Sequence, residues 1–380
     1  MRYGVLIGLV ALGLFEAANV WFIMPLPGAQ RMRSLELAYL LHTWRWVVRG
    51  LSVAFVVVGA RAAWDRGRAA RAATGLGMIT VAAMAYVFNF VMAADAIFKQ
   101  PTVVVMAPAA DNRVELDRLV VGIEVDGEAR AYPLQFIGYH HQVRDSVAGR
   151  EILVTYCTVC RTGRVFDPRL AGQVEHFRLV GMDHFNAMLE DETTGSWWRQ
   201  ANGEAVTGPL RGTTLEELPS RQVTLRQWLA LHPTSRIMQG DPAFAAQYAQ
   251  DFAFERGTSR SRLTGTDPRS WEEKSWVVGI RVGGATRAYD WNQLLRERAI
   301  NDTLGGRPIV VAVAADSASF FAFVRPDTAT RYTVAGDSLR AGSSAVGFNG
   351  KGQTRTLEPL VASQEFWHSW RTFNPGTTRH

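Results

Sequence analysis

Cys157 and Cys160 are the only thiols in a chain of 380 residues, and their C-T-V-C spacing sets the chemistry open to them. Two cysteines flanking two residues can chelate one ion, because a turn aims both sulfurs the same way, or they can cycle between dithiol and disulfide. The residues that follow, Arg161-Thr162-Gly163-Arg164-Val165-Phe166, read as a turn into a strand. They lack the long helical pattern expected after a thioredoxin-like pair, so a metal knuckle is the preferred reading. A closed knuckle needs two more ligands. His140, His141, His176 and His184 lie within about 25 residues of the pair, together with the thioether of Met182. Thiolate with imidazole or thioether suits a soft or borderline metal, which makes copper or zinc the expected cofactor. Asp145, Arg161, Trp197 and Trp198 are the further candidates for the surroundings of such a site.

Two other readings stay open. Thiols outside the cytoplasm tend to oxidise, and a thiol-disulfide redox protein would use the same pair. A structural or interaction module would bury both cysteines as inert groups. The residue types do not decide whether the chain is an enzyme. No G-x-S-x-G elbow and no phosphate-binding loop occurs, so hydrolase and nucleotide chemistry of those kinds have no support.

The elements that position the pair repeat themselves. A shift of 157 residues places Val120-Val121-Gly122-Ile123 on Val277-Val278-Gly279-Ile280 and Arg130-Ala131-Tyr132 on Arg287-Ala288-Tyr289, and Asp145 on Asp302. A second match, at a shift of 142, pairs Trp228 with Trp370 and Pro233 with Pro375. Two internal repeats are expected at about 112–240 and 269–380, packed about a pseudo-twofold axis, with 15 residues deleted inside the second. Cys157 and Cys160 face Ala314 and Ser317, and His140 and His141 face Glu297 and Arg298. Only the first repeat keeps the chemistry.

Within each repeat short apolar runs alternate with Gly and Asp. The run ending at Val125 is followed by Asp126-Gly127, a hairpin signal. Gln135 to Val143 and Trp291 to Arg298 read as short helical turns, Glu151 to Tyr156 as a buried strand, and Thr224 to Leu231 as a closing helix. An α+β, mostly antiparallel and β-rich domain follows. Trp197 and Trp198 stand at alternating strand positions, which predicts one in the core and one on the surface.

Residues 1–98 read as a three-helix transmembrane segment. Tyr3 to Met24 is long enough to cross a bilayer, the second span is sought in the stretch Leu35 to Ala60 and placed at Trp46 to Ala63, and the third at about Ala72 to Ala94. Arg61 to Arg71 holds four Arg against one Asp, which puts that loop and the N-terminus, with Arg2, in the cytoplasm. The β-rich domain then lies outside, in the periplasm of a bacterial inner membrane, although Arg31, Arg33, Arg45 and Arg49 reduce the bias. A second helix starting near Trp46 makes His42, Arg45 and Arg49 interfacial, the preferred reading. One starting near Leu35 sinks them to where Glu16 can pair with them.

Charge is uneven. Of the formal +6, residues 1–98 carry +5 and the other 282 residues carry +1, so the β-rich part offers no footprint for a phosphate backbone and nucleic acid is disfavoured. The lipid bilayer is the partner the helices imply; no protein partner is indicated. Two cysteines exclude a disulfide-rich scaffold.

Y-C-T-V-C-R-T-G-R-V-F-D at 156–167, His140 to Asp145 followed by Gly149, Asp191-Glu-Thr-Thr-Gly-Ser-Trp-Trp-Arg-Gln and Gly203 to Leu210 resemble the DUF3179 family of bacterial and archaeal proteins. The resemblance covers the soluble part, most strongly about 115–240, and implies a fold and an extracytoplasmic habit but no reaction. Arg144 stands where the family usually has Asn before the Asp; Asn301-Asp302 keeps that form.

Overall fold

A computed structural model describes residues 3–26, 28–31 and 34–380; Arg2 and Arg33 of the topology argument lie outside the described residues. The chain forms two compact units, one of residues 1–99, 177–199 and 205–213, the other of 100–176, 200–204 and 214–380. Residues 177–199 and 205–213, within the expected segment 112–240, group with the N-terminal helices.

In the first unit the helices are Gly4–Ile23, Leu35–Trp64 and Arg68–Tyr86, each long and apolar enough to cross a membrane. The second starts at Leu35 rather than near Trp46. Nothing between Glu36 and Arg45 breaks a helix, and Glu36 in the first turn complements the helix dipole. Arg49 is thereby carried to Glu16, a fully buried carboxylate, with Nε 2.7 Å and Nη2 3.0 Å from its two oxygens. The interfacial reading of Arg49 is corrected accordingly. Asn89, within the π-helical turn Val87–Val91, donates to Glu16 Oε2 at 2.8 Å and accepts from Arg49 at 2.7 Å. Gly8 and Gly59 let the first two helices touch: a Cβ on Gly59 would meet the backbone nitrogen of Val5 at 2.3 Å.

An antiparallel sheet completes this unit, in the order Ala205–Thr207, Trp197–Arg199, Asn186–Asp191, Phe177–Asp183. Trp197 packs on Tyr39 with ring centroids 5.2 Å apart, and Trp198 meets Phe177 at 5.9 Å. Both are buried, so the expected alternation of core and surface is corrected. Their indole nitrogens donate at 2.8 Å to Glu190 and Asp191 respectively.

The second unit contains the same order of elements twice. Strands Leu119–Val125 and Glu128–Pro133 form a hairpin, helix Leu134–His140 follows, and strands Gln142–Val147, Arg150–Cys157 and Thr162–Phe166 form an antiparallel sheet. Later come the hairpin Trp276–Val282 and Ala285–Asp290, helix Trp291–Glu297, and strands Ala299–Leu304, Arg307–Val313 and Phe320–Val324. Each hairpin gains a returning antiparallel strand, Ser220–Thr224 or Ala362–Phe366, and a parallel one, Arg236–Gln239 or Thr378–Arg379. Between the third sheet strand and the returning strand the two stretches differ. The first holds the sheet that groups with the N-terminal helices, and the second holds a three-stranded sheet of Thr333–Ala335, Ser338–Ala341 and Ser344–Gly347.

The shared residues make the same contacts. Tyr132 and Arg130 both donate to Asp145 at 2.7 Å, and Tyr289 and Arg287 both donate to Asp302. Short helices Leu225–Leu231 and Trp367–Phe373 each lay a tryptophan on a hairpin glycine. A Cβ on Gly122 would come within 2.4 Å of the Trp228 ring, and one on Gly279 within 2.1 Å of Trp370. One buried apolar cluster runs through both stretches, from Val143, Val154 and Tyr156 to Val310, Ala312 and Phe323.

Replacing either glycine by alanine therefore overpacks a closed contact. Gly122→Ala and Gly279→Ala are each expected to destabilise the protein by about 1–3 kcal/mol, read from denaturant unfolding. A neutral result at either position would show that the indole can retreat.

Candidate functional site

Strand Arg150–Cys157 ends on the first thiol, and the register pairs Cys157 with Thr162 across the turn. Arg161 adopts the left-handed conformation at φ 57°, which turns the chain back into the next strand and leaves Cys160 inside the turn. The two cysteines lie 3.9 Å apart, both fully buried, and no disulfide joins them.

The returning strand and last helix of the chain clamp this turn. The Phe366 amide donates to the Cys160 carbonyl at 3.0 Å, and the His368 ring nitrogen Nε2 lies 3.2 Å from the Val159 carbonyl. Ser369 shares its hydroxyl with Thr162 at 3.3 Å and donates to Glu365 at 2.9 Å. Two buried guanidiniums complete the clamp. Arg164 pairs with Glu365 and also approaches Glu217 at 3.2 Å. Arg161 donates to Gln364 Oε1 at 2.9 Å and to the carbonyls of Phe254 and Glu255 at 2.9 and 3.1 Å, and lies 3.6 Å over the Trp276 ring.

Burial pushes the Cys160 thiol up, the neighbouring Cys157 adds to this, and the Ser369 hydroxyl works against it. Cys160 is thus held as a thiol unless a cation compensates the charge. The Lys274 ammonium, itself held down by burial, is near enough to favour negative charge on Cys160.

The histidine candidates are placed as follows. His140 is buried with Nε2 2.8 Å from the Tyr248 hydroxyl. His141 is the left-handed cap of its helix at φ 61°, with Nδ1 3.0 Å from the Tyr139 carbonyl. Its counterpart Arg298 has the same conformation, at φ 61°. His176 is exposed. His184 and Met182 belong to the other compact unit, where His184 Nδ1 lies 2.6 Å from Asp183. Among the described residues no group of three or more His, Cys, Asp or Glu side chains is placed to hold a metal. Asp145 serves the Tyr132 and Arg130 contact, and Trp197 and Trp198 lie in the other unit's sheet. Arg161 is the one auxiliary candidate beside the thiols.

Gln364, Glu365, His368, Ser369 and Lys274 are not legible as site residues in the sequence, because they approach from more than a hundred positions away. The match of Trp228 with Trp370 carries the available signal, since it also aligns Gln222 with Gln364 in the returning strands.

A family model described as a protein of unknown function (DUF3179) matches residues 97–377, and the chain belongs to that family. Neither the curated proteins nor the solved structures contain a match.

Burial holds the His141 imidazole down at about 4. The carbonyl of Tyr139 can only accept, so the folded protein keeps a neutral ring with its proton on Nδ1. A depressed histidine adds stability that is whole above pH 6.5 and lost as the pH falls toward 4, at most on the order of 3 kcal/mol. Asn tolerates the left-handed backbone, so His141→Asn should flatten this part of the pH–stability curve. An unchanged slope between pH 6.5 and 4 would place the acid sensitivity elsewhere.

Proposed function

We propose that this DUF3179 protein is a membrane-anchored, extracytoplasmic copper-binding protein whose Cys157 and Cys160 hold one copper(I) ion as a dithiolate. The observation that carries the reading is the 3.9 Å separation of two buried, unbonded cysteines in one turn. An ion bonded to both sulfurs at about 2.3 Å would subtend roughly 115°, bent from the linear arrangement of a two-coordinate copper(I) ion and so open to a further ligand. Copper(I) accepts two soft ligands, whereas a structural zinc site wants four. Binding exchanges two thiol protons for one monovalent cation, leaving a single negative charge that Lys274 helps to balance. Full burial disfavours disulfide exchange with a protein partner, because a third sulfur must reach one of the pair.

The anchor is proposed to span the bacterial inner membrane with the Arg61 to Arg71 loop inside, which places the thiols in the periplasm. The paired element orders and the repeated Tyr–Asp–Arg and Gly–Trp contacts support a duplication at about 112–240 and 269–380, with one copy retaining the thiols.

Anaerobic titration of the reduced full chain with copper(I) against a chromophoric chelator should give one equivalent bound, and none in the Cys157→Ser/Cys160→Ser double variant. His140→Gln should bind as the parent does. Equal behaviour of parent and double variant, with the thiols verified as reduced, would refute the copper site. A phosphatase fused after His380 should be active; inactivity there, with a cytoplasmic reporter active, would reverse the topology.

A further inference from the structure

Beside the thiol turn lies a cleft of about 490 Å³ between the two repeated halves of the second unit, a volume suited to a small molecule. Its walls include Trp276, Trp291 and Phe252. Two buried polar groups on its lining have donors to spare, and the exposed Arg256 lies on it as well. Arg161 is a fully buried cation whose hydrogen bonds go to two carbonyls and one amide oxygen; among the described residues no carboxylate forms an ion pair with it. Gln364, 1% exposed, uses its amide oxygen on Arg161 and leaves its Nε2 without a partner.

The acidic residues of the cleft accept from donors of their own. Glu255 accepts from Arg118 and from the Leu119 amide, Asp316 accepts from Thr224 and Ser319, and Asp117 pairs with Arg226. Burying a cation that has no ion-pair partner, beside an idle amide donor, costs free energy that one anionic acceptor would recover.

The other half supplies an internal comparison. Gln222 occupies the aligned place in its own returning strand, opposite Val121 as Gln364 is opposite Val278, and its Nε2 also lacks a partner. There the residue aligned with Arg161 is Ala318, and the enclosed space beside Gln222 is about 20 Å³. Cation, idle donor and volume coincide in one half only.

We infer that this cleft binds a small organic carboxylate, with the carboxylate on Arg161 and Gln364 Nε2 and an apolar or aromatic body against Trp276, Trp291 and Phe252. The site uses neither thiol and stands independently of copper binding.

The test is ligand-observed NMR on the full chain in a zwitterionic detergent, with benzoate as the probe and benzamide as its neutral isostere. Benzoate is expected to bind with a Kd of roughly millimolar order, as its size allows, and benzamide at least tenfold more weakly. Gln364→Glu places a carboxylate against Arg161 and should reduce benzoate binding at least tenfold, while Gln222→Glu should leave it unchanged. Arg161→Gln should also lose binding, but Arg161 holds two backbone carbonyls, so Gln364→Glu, checked for an unchanged melting temperature, is the deciding variant. Equal binding of benzoate and benzamide, unchanged binding in folded Gln364→Glu, or no benzoate signal at about 10 mM would each overturn the inference.

Discussion

Two buried arginines three residues apart fix the second unit. Arg161 and Arg164 are taken almost wholly out of water, and a guanidinium so placed must spend its donors on oxygen within reach. Several of those oxygens come from the far end of the chain or from the connecting segment: Gln364 and Glu365 in the returning strand, and the carbonyls of Phe254 and Glu255. The strand bearing Gln364 and Glu365 cannot move without stranding both cations. With the Phe366 amide on the Cys160 carbonyl, this constraint gives the thiol turn its shape and leaves little freedom in the sulfur positions.

The same constraint is present in only one of two similar halves, the one that carries the thiols. Tyr132, Asp145 and Arg130 do for the first hairpin what Tyr289, Asp302 and Arg287 do for the later one, and Gly122 and Gly279 admit their tryptophans alike. These contacts build the scaffold and are indifferent to what the turn holds. Where the first half has Cys157, Cys160 and Arg161, the other has Ala314, Ser317 and Ala318. There Asp316 accepts from Ser319 and Thr224, which closes the corresponding turn with hydroxyls. A turn closed in that way needs no buried cation.

What can be read from the chain follows the range of the interactions. Period and punctuation place the three apolar helices, both hairpins and the short helices within a few residues, since those elements rest on local propensity and turn chemistry. The start of the second helix is the exception: Trp46 has the character of an interfacial marker, yet the uninterrupted helix formers before it carry the helix back to Leu35. Trp197 and Trp198 defeat the alternation rule because both faces of their sheet are covered, one by Tyr39 and its neighbours and one by Phe177. Histidines close to the thiols in sequence are natural ligand candidates, but His140 and His141 answer to Tyr248 and to their own helix end. Residues 274 and 364–369 also approach the thiol turn, and no local pattern announces a contact of that span.

Polarity in the two units is handled by different means, and this bears on which groups remain available for function. Among the N-terminal helices Glu16, Arg49 and Asn89 satisfy one another in a closed set, as a charged pair in apolar surroundings must. In the second unit Arg164 reaches the same end through Glu365 and Glu217, and Arg118 through Glu255. Arg325 is held by neutral oxygens, but it spends its donors on four carbonyls. Arg161 has fewer such partners, and the amide it leans on has an idle donor facing a cleft. Unlike Arg118 and Arg164, which reach carboxylates, Arg161 is held by neutral oxygens beside open space, next to the two cysteines of the chain.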